Sequence, residues 1–116
     1  MPDTEYYCTM VNGVPVVTTP EEIDIMTAEK LRAVLLEAAG RGPMVVVDMT
    51  STTFLDSSGL HVLLGAHRRA LSDGNELRLA VSPGGVVDRI FTLTGTDGIL
   101  LCFQNLEEAL AGRIIG

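Results

Sequence analysis

The run Met44-Val45-Val46-Val47, closed by Asp48, constrains this chain more than any other stretch. Three consecutive β-branched residues favour an extended backbone. Apolar residues in series without alternation suit a strand buried on both faces. A polar connection, Met49 to Thr53, leads on to Phe54-Leu55 and Asp56-Ser57-Ser58-Gly59. From Leu60 the spacing becomes helical, with Leu60, Leu63, Leu64, His67 and Leu71 on one stripe. Asp56-Ser57-Ser58 thus stands where a loop turns into a helix.

The rest of the chain arranges itself around that unit. Met1 to Thr4 reads as a loose terminus and Glu5 to Val11 as a strand. Asn12-Gly13 is a two-residue hairpin signal, since both positions tolerate positive φ. Val14 to Thr19 returns, and Pro15 places that strand at an edge or at the start of its ladder. Pro20 to Asp24 reads as a connection. Thr27 is the expected cap of a helix through Ala39 whose core stripe is Ala28, Leu31, Leu35 and Ala38. Gly40 ends it, and Gly42-Pro43 prevents continuation. Beyond Ser72-Asp73-Gly74, Leu77 to Val81 reads as a strand, Val86 to Leu93 as a short helix and Gly98 to Phe103 as a last strand. Asn105 caps a final helix docked by Leu106, Leu110 and Ile114. Gly65, inside the second helix, costs about 1 kcal/mol relative to Ala, which close packing on the sheet would offset. The order predicts an α/β fold: a mixed sheet of about five strands with about four packed helices, in one domain over residues 1–116.

The junction at Asp56 has two readings. Ser and Asp accept hydrogen bonds from the free N–H groups of a first helical turn, so the plain reading is a helix cap. The same N-terminus stabilises an anion, so a phosphoryl group on a serine there is accommodated by the fold.

Composition removes several functions. Net charge is −7, which opposes direct binding to nucleic acid or to anionic membranes and suits a basic protein partner. Aromatics are only 4% against 47% hydrophobic residues, so the core must be aliphatic. Cys8 and Cys102 are far apart in sequence. Cys102, within Ile99-Leu100-Leu101-Cys102-Phe103, reads as a buried free thiol rather than a disulfide or a metal ligand. No basic-then-apolar leader opens the chain and no apolar run approaches a membrane span, so a cytoplasmic location is expected.

Three catalytic or ligand-binding schemes fit poorly. Asp56, Ser57 and His61 could be imagined as a nucleophile system, but the segment is not Gly-x-Ser-x-Gly. His61 and His67 are simply read as an exposed and a half-buried helix residue. Asp48 at a strand end could accept phosphate only with further carboxylates to hold Mg²⁺, and Val11-Asn12-Gly13 stands where a pair would be sought. It reads as a polar strand end or a loop-capping residue. Ser82-Pro83-Gly84-Gly85 lacks the Lys-Ser/Thr ending of a phosphate loop. No metal site, no cofactor and no enzyme activity are expected.

Asp56-Ser57-Ser58-Gly59-Leu60, after a Val-rich strand and a Phe-Leu pair, resembles the phosphorylation motif of bacterial anti-sigma-factor antagonists, which are single STAS domains. Two further segments carry the resemblance in the same order. Glu22-Ile23-Asp24 with Thr27-Ala28-Glu29-Lys30-Leu31 resembles the lead into the family's first helix. Ser82-Pro83 with Val87, Arg89, Phe91 and Thr94-Gly95 resembles its third-helix region. The resemblance implies a STAS fold and a binding module switched by phosphorylation. The unmodified form would bind an anti-sigma factor that is also a serine kinase and so free a sigma factor; a serine phosphatase would reset it. Position in the motif implies Ser57 as the acceptor, with Ser58 as the lesser candidate. Asp24, Asp56, Ser57, Ser58 and Gly59 are the implied partner-binding residues. A STAS scaffold or signalling module without a sigma-factor link is the alternative of a different class.

Overall fold

The computed structural model describes residues 6–111. The expected strand start at Glu5, the loose terminus and the docking of Ile114 lie outside the described residues. Met44–Asp48 forms β4, and Val45, Val46 and Val47 are buried, as a strand covered on both faces requires. β1 (Tyr7–Val11) and β2 (Val14–Thr18) form the hairpin, turning through Asn12 at φ 52° and Gly13 at φ 78°. With β6 (Glu76–Ala80) and β7 (Leu101–Phe103) they make a five-stranded sheet in the order β1-β2-β4-β6-β7. Only β1 and β2 are antiparallel; the other neighbours are parallel. Pro15 is tolerated in an interior strand because the ladder to β4 begins one residue later, at Val16 opposite Val46.

Four helices cover the sheet. α1 (Ile25–Ala39), α2 (Ser57–Ser72) and α3 (Val86–Thr94) share one core with Val17, Val45, Val47, Leu77 and Leu79. α4 (Leu106–Ala111) packs on the other side over Val16, Val46 and Ala80. Arg78 lies beneath α4 at 7% exposure. A buried cation costs several kcal/mol unless it is paired. Arg78 donates to Glu76 Oε1 at 2.9 Å and to the Ala109 carbonyl at 3.0 Å, and it lies 5.3 Å from the centre of the Phe103 ring. The cation thereby ties α4 to the sheet. Glu108 N donates to Asn105 Oδ1 at 2.8 Å, the expected cap of α4.

Several boundaries differ from the sequence expectation. α1 starts at Ile25 because Asp24, not Thr27, is its cap; Thr27 is the partner residue of the capping box. Its core stripe of Ala28, Leu31, Leu35 and Ala38 is as expected. α2 begins at Ser57 rather than Leu60, and its buried face is Gly59, Val62, Leu63 and His67. Leu71 is exposed, and Leu60 and Leu64 are only half-buried, because that face turns between the sheet and α1. His67 is therefore buried rather than half-buried. The last strand starts at Leu101, not Gly98: the Ile99 and Leu100 amides are already bound to the Thr96 carbonyl in a short 3-10 turn over Thr96–Gly98.

Pro20 to Asp24 is not a plain connection. Glu22–Ile23 forms β3, which pairs in parallel with β5 (Phe54–Leu55) as a separate two-stranded sheet. Met49 and Thr52, expected in a polar loop, are buried. The Thr52 hydroxyl lies 2.6 Å from that of Thr19 and donates to the Pro20 carbonyl at 2.7 Å. This buried link guides β2 into β3 and β4 into β5 side by side.

Gly65 is exposed, and a Cβ on it would meet nothing within 4 Å. Close packing therefore does not explain it. Gly65→Ala is expected to stabilise the fold by about 1 kcal/mol, the helix-propensity difference, read as a higher midpoint of chemical denaturation. An unchanged or lower midpoint would contradict that assignment.

Candidate functional site

The paired strands β3 and β5 are each followed by an aspartate, and each aspartate opens a helix. Asp24 Oδ1 accepts from Met26 N at 2.9 Å and from Thr27 N at 3.2 Å. Asp24 N donates back to Thr27 Oγ1 at 3.0 Å. Asp56 Oδ1 accepts from Ser58 N at 2.9 Å and from Gly59 N at 3.2 Å. Asp56 Oδ2 accepts from Ile25 N at 3.1 Å. One carboxylate therefore closes the first turns of α1 and α2 together. Hydrogen bonds to a charged acceptor contribute about 1.5–3 kcal/mol each when sheltered, and less where water competes. Asp56 N also donates to the Ile23 carbonyl at 3.1 Å, extending the β3–β5 pairing by one step.

Ser57 is the first residue of α2 and is exposed; Ser58 is half-buried. The structure brings Asp24, Asp56, Ser57, Ser58 and Gly59 to one end of the molecule, around the first turns of the two helices. Three apolar side chains share the region at the start of α1 and on β5: Ile25 is 70% exposed, Met26 81% and Phe54 46%. Sequence reasoning did not single these out. The available signal was a pair of large apolar residues directly after a capping aspartate. A groove of about 760 Å³ runs between α1 and α2 from Ile25, Ser57 and His61 towards Arg69 and Asp73.

Gly59 is the residue that close packing explains. A Cβ there would collide with Leu55 Cδ1 and stand 2.7 Å from Ile23 Cγ2. Its bare backbone lets the first turn of α2 rest directly on the β3–β5 pair, which holds Ser57 at the surface.

Asp48 Oδ1 accepts from Thr50 N and Thr50 Oγ1 at 3.1 and 2.7 Å, so this carboxylate caps its own loop, as expected. Among the described residues, no group of three or more His, Cys, Asp or Glu is placed to hold a metal ion. No helix of the described residues is long and apolar enough to cross a membrane. Cys102 was expected to be buried, but it is exposed on the three-residue edge strand β7. Protein packed around its sulfur, with Asp97 and Asp88 nearby, pushes the thiol up to about 11. The thiolate is the reactive form, so an exposed position does not make this thiol reactive.

The STAS domain family model matches residues 9–109. The chain therefore belongs to the STAS domain family. It is 32% identical over 103 residues to an anti-sigma-F factor antagonist of Mycobacterium tuberculosis, covering 87% of this chain and 82% of the relative. It is 31% identical over 95 residues to an anti-sigma-B factor antagonist of Listeria monocytogenes, covering 79% and 80%. The crystal structure of an anti-sigma factor antagonist from Mycobacterium paratuberculosis superposes with a TM-score of 0.82 at 27% identity, covering 96% of this chain and 95% of that one.

Gly59→Ala is expected to destabilise the domain by about 1–3 kcal/mol, the usual cost of overpacking, in contrast to Gly65→Ala; a neutral result would mean that Leu55 and Ile23 give way freely. Alkylation of Cys102, followed by mass spectrometry, is expected to be slow at neutral pH and to accelerate about tenfold per pH unit as the thiolate fraction rises. A rate already at its plateau at pH 8 would contradict the raised value.

Proposed function

We propose that this chain is an anti-sigma factor antagonist: it binds an anti-sigma factor that is also a serine kinase, and phosphorylation of Ser57 ends that binding. The observation that carries the reading is the placement of Ser57. It is exposed at the first position of α2, on a turn already held by Asp56, and lines one groove with the exposed Ile25. The named relatives support the coarser reading, antagonism of an anti-sigma factor. Ser58 is the lesser candidate because it is half-buried and follows one step into the turn.

The energetics suit a switch that acts on the complex. A phosphoryl group adds about −1.5 to −2 charges. At a helix N-terminus this is favourable by about 0.3–1 kcal/mol, which offsets repulsion from Asp56. The folded domain therefore survives. In a closed interface the same charge, unpaired and buried, costs about 3–5 kcal/mol, or about two to three and a half decades of affinity at about 1.4 kcal/mol per decade. The carboxylate of Asp56 is already engaged by backbone amides, so it presents the serine by rigidity, and the proton-accepting group for phosphoryl transfer comes from the kinase. A serine phosphatase restores the binding form. The net charge of −7 suits a partner with a basic contact surface.

The test is reconstitution with the anti-sigma factor of the same organism and ATP, followed by mass spectrometry. One phosphoryl group on Ser57 is expected, with loss of the complex. Ser57→Ala should bind and resist modification. Ser57→Asp should fold and not bind. Undiminished binding by Ser57→Asp would overturn the switch, and modification at Ser58 would move it by one residue. A partner without kinase activity would favour the scaffold alternative.

A further inference from the structure

Asp56 divides its two oxygens between two helices that are separate in sequence. Oδ1 serves α2, through Ser58 N and Gly59 N. Oδ2 crosses to Ile25 N, the first amide of α1, at 3.1 Å. Asp24 does not serve that amide: its side chain is used by Met26 N and Thr27 N, and its carbonyl by Thr27 N and Ala28 N. Ile25 N–H is one of the donors that a helix start leaves without an intrahelical acceptor. Its acceptor comes from across the β3–β5 pair. Ile25 and Met26, the two residues whose backbone this bond orients, are 70% and 81% exposed.

The geometry points to Asp56 as a positioning residue for the first turn of α1, through which a charge added at Ser57 loosens the Ile25 end of the docking surface. This rests on Ser57 being the modified residue. The phosphoryl group would sit on the residue next to Asp56 in sequence and compete for the same positive end of α2. Like charges placed this close repel. Of the three bonds that the Asp56 carboxylate accepts, two lie within its own helix turn, and the third is single, exposed and spans two elements. The third is the one that yields. The modification is then read at two places: by collision at Ser57, and by loss of the fixed presentation of Ile25 and Met26 to a partner with an apolar contact surface.

The experiment is residue-resolved amide hydrogen exchange on three forms of the full chain: unmodified, Asp56→Asn, and chain carrying phosphoserine installed synthetically at position 57. Asn keeps one oxygen for α2 and turns an NH₂ group towards Ile25, which cannot accept. In Asp56→Asn and in the phosphorylated chain the Ile25 amide is expected to exchange about tenfold faster, the order set by one lost hydrogen bond. Ser58, Gly59 and the core amide of Val46 should keep their protection. Unchanged exchange at Ile25 in the phosphorylated chain would overturn the coupling. So would equal acceleration at Ser58 and Gly59, which would mean general fraying of α2. If Asp56→Asn unfolds, seen as exchange at Val46, the phosphorylated chain alone decides. Installing the phosphoserine separates this from the functional reading. Failure of any kinase to modify Ser57 would sink that reading, whereas an Ile25 amide indifferent to the phosphate would sink only the coupling.

Discussion

β4 has a hydrogen-bonded neighbour on each edge and a helical layer against each face. β1, β7, α1, α2 and α4 are each placed by contact with it or with a strand beside it. Its three valines bury fully only because α1 and α2 cover one side and α4 the other. Burial of each such side chain contributes about 1.5–3 kcal/mol relative to exposure. The parallel register that follows leaves β2 and β4 ending at the same edge of the sheet. That shared edge is why two connections leave side by side, pair as β3 and β5, and deliver two helix starts to one place.

The site is a consequence of that delivery. Two helix N-termini meet, and the Ile25 amide of α1 is one that its own cap, Asp24, does not serve. Asp56 resolves this with one carboxylate, and Gly59 lets α2 approach closely enough for it to do so. The result is a rigid, mostly pre-formed corner on which a serine hydroxyl and three apolar side chains face outward. A charge can be added at that corner without burying it inside the domain. The same charge would be excluded from a closed apolar interface. This asymmetry between the domain and the complex is the physical basis for reading the corner as a switch.

Much of this was legible in the chain. The Val run marked the central strand, Asn12-Gly13 the hairpin, and Asp56-Ser57-Ser58 a helix start, because each depends on local backbone preference or on a short period. The misreadings fall where local and tertiary forces compete. Thr27 looked like a cap because the aspartate three residues earlier seemed to lie in a loop. Gly65 looked packed and Gly59 did not, since a glycine's neighbours are invisible until the helix is docked. Cys102 looked buried from its apolar flanks, but it lies on a short edge strand with no neighbour beyond it among the described residues.

The α/β class, the order of the main elements, the aliphatic core and the serine at a helix start are all readable from the chain alone. Local propensity and hydrophobic period suffice for these, and the resemblance in three segments added the family. Tertiary contacts alone set the pairing of β3 with β5, the bond from the Ile25 amide to Asp56 across 31 residues of chain, and the groove that Ile25 lines together with Ser57. Those contacts join residues remote in sequence, through backbone groups that every residue carries and no side-chain pattern announces. Their partners exist only once the sheet has brought the two connections together.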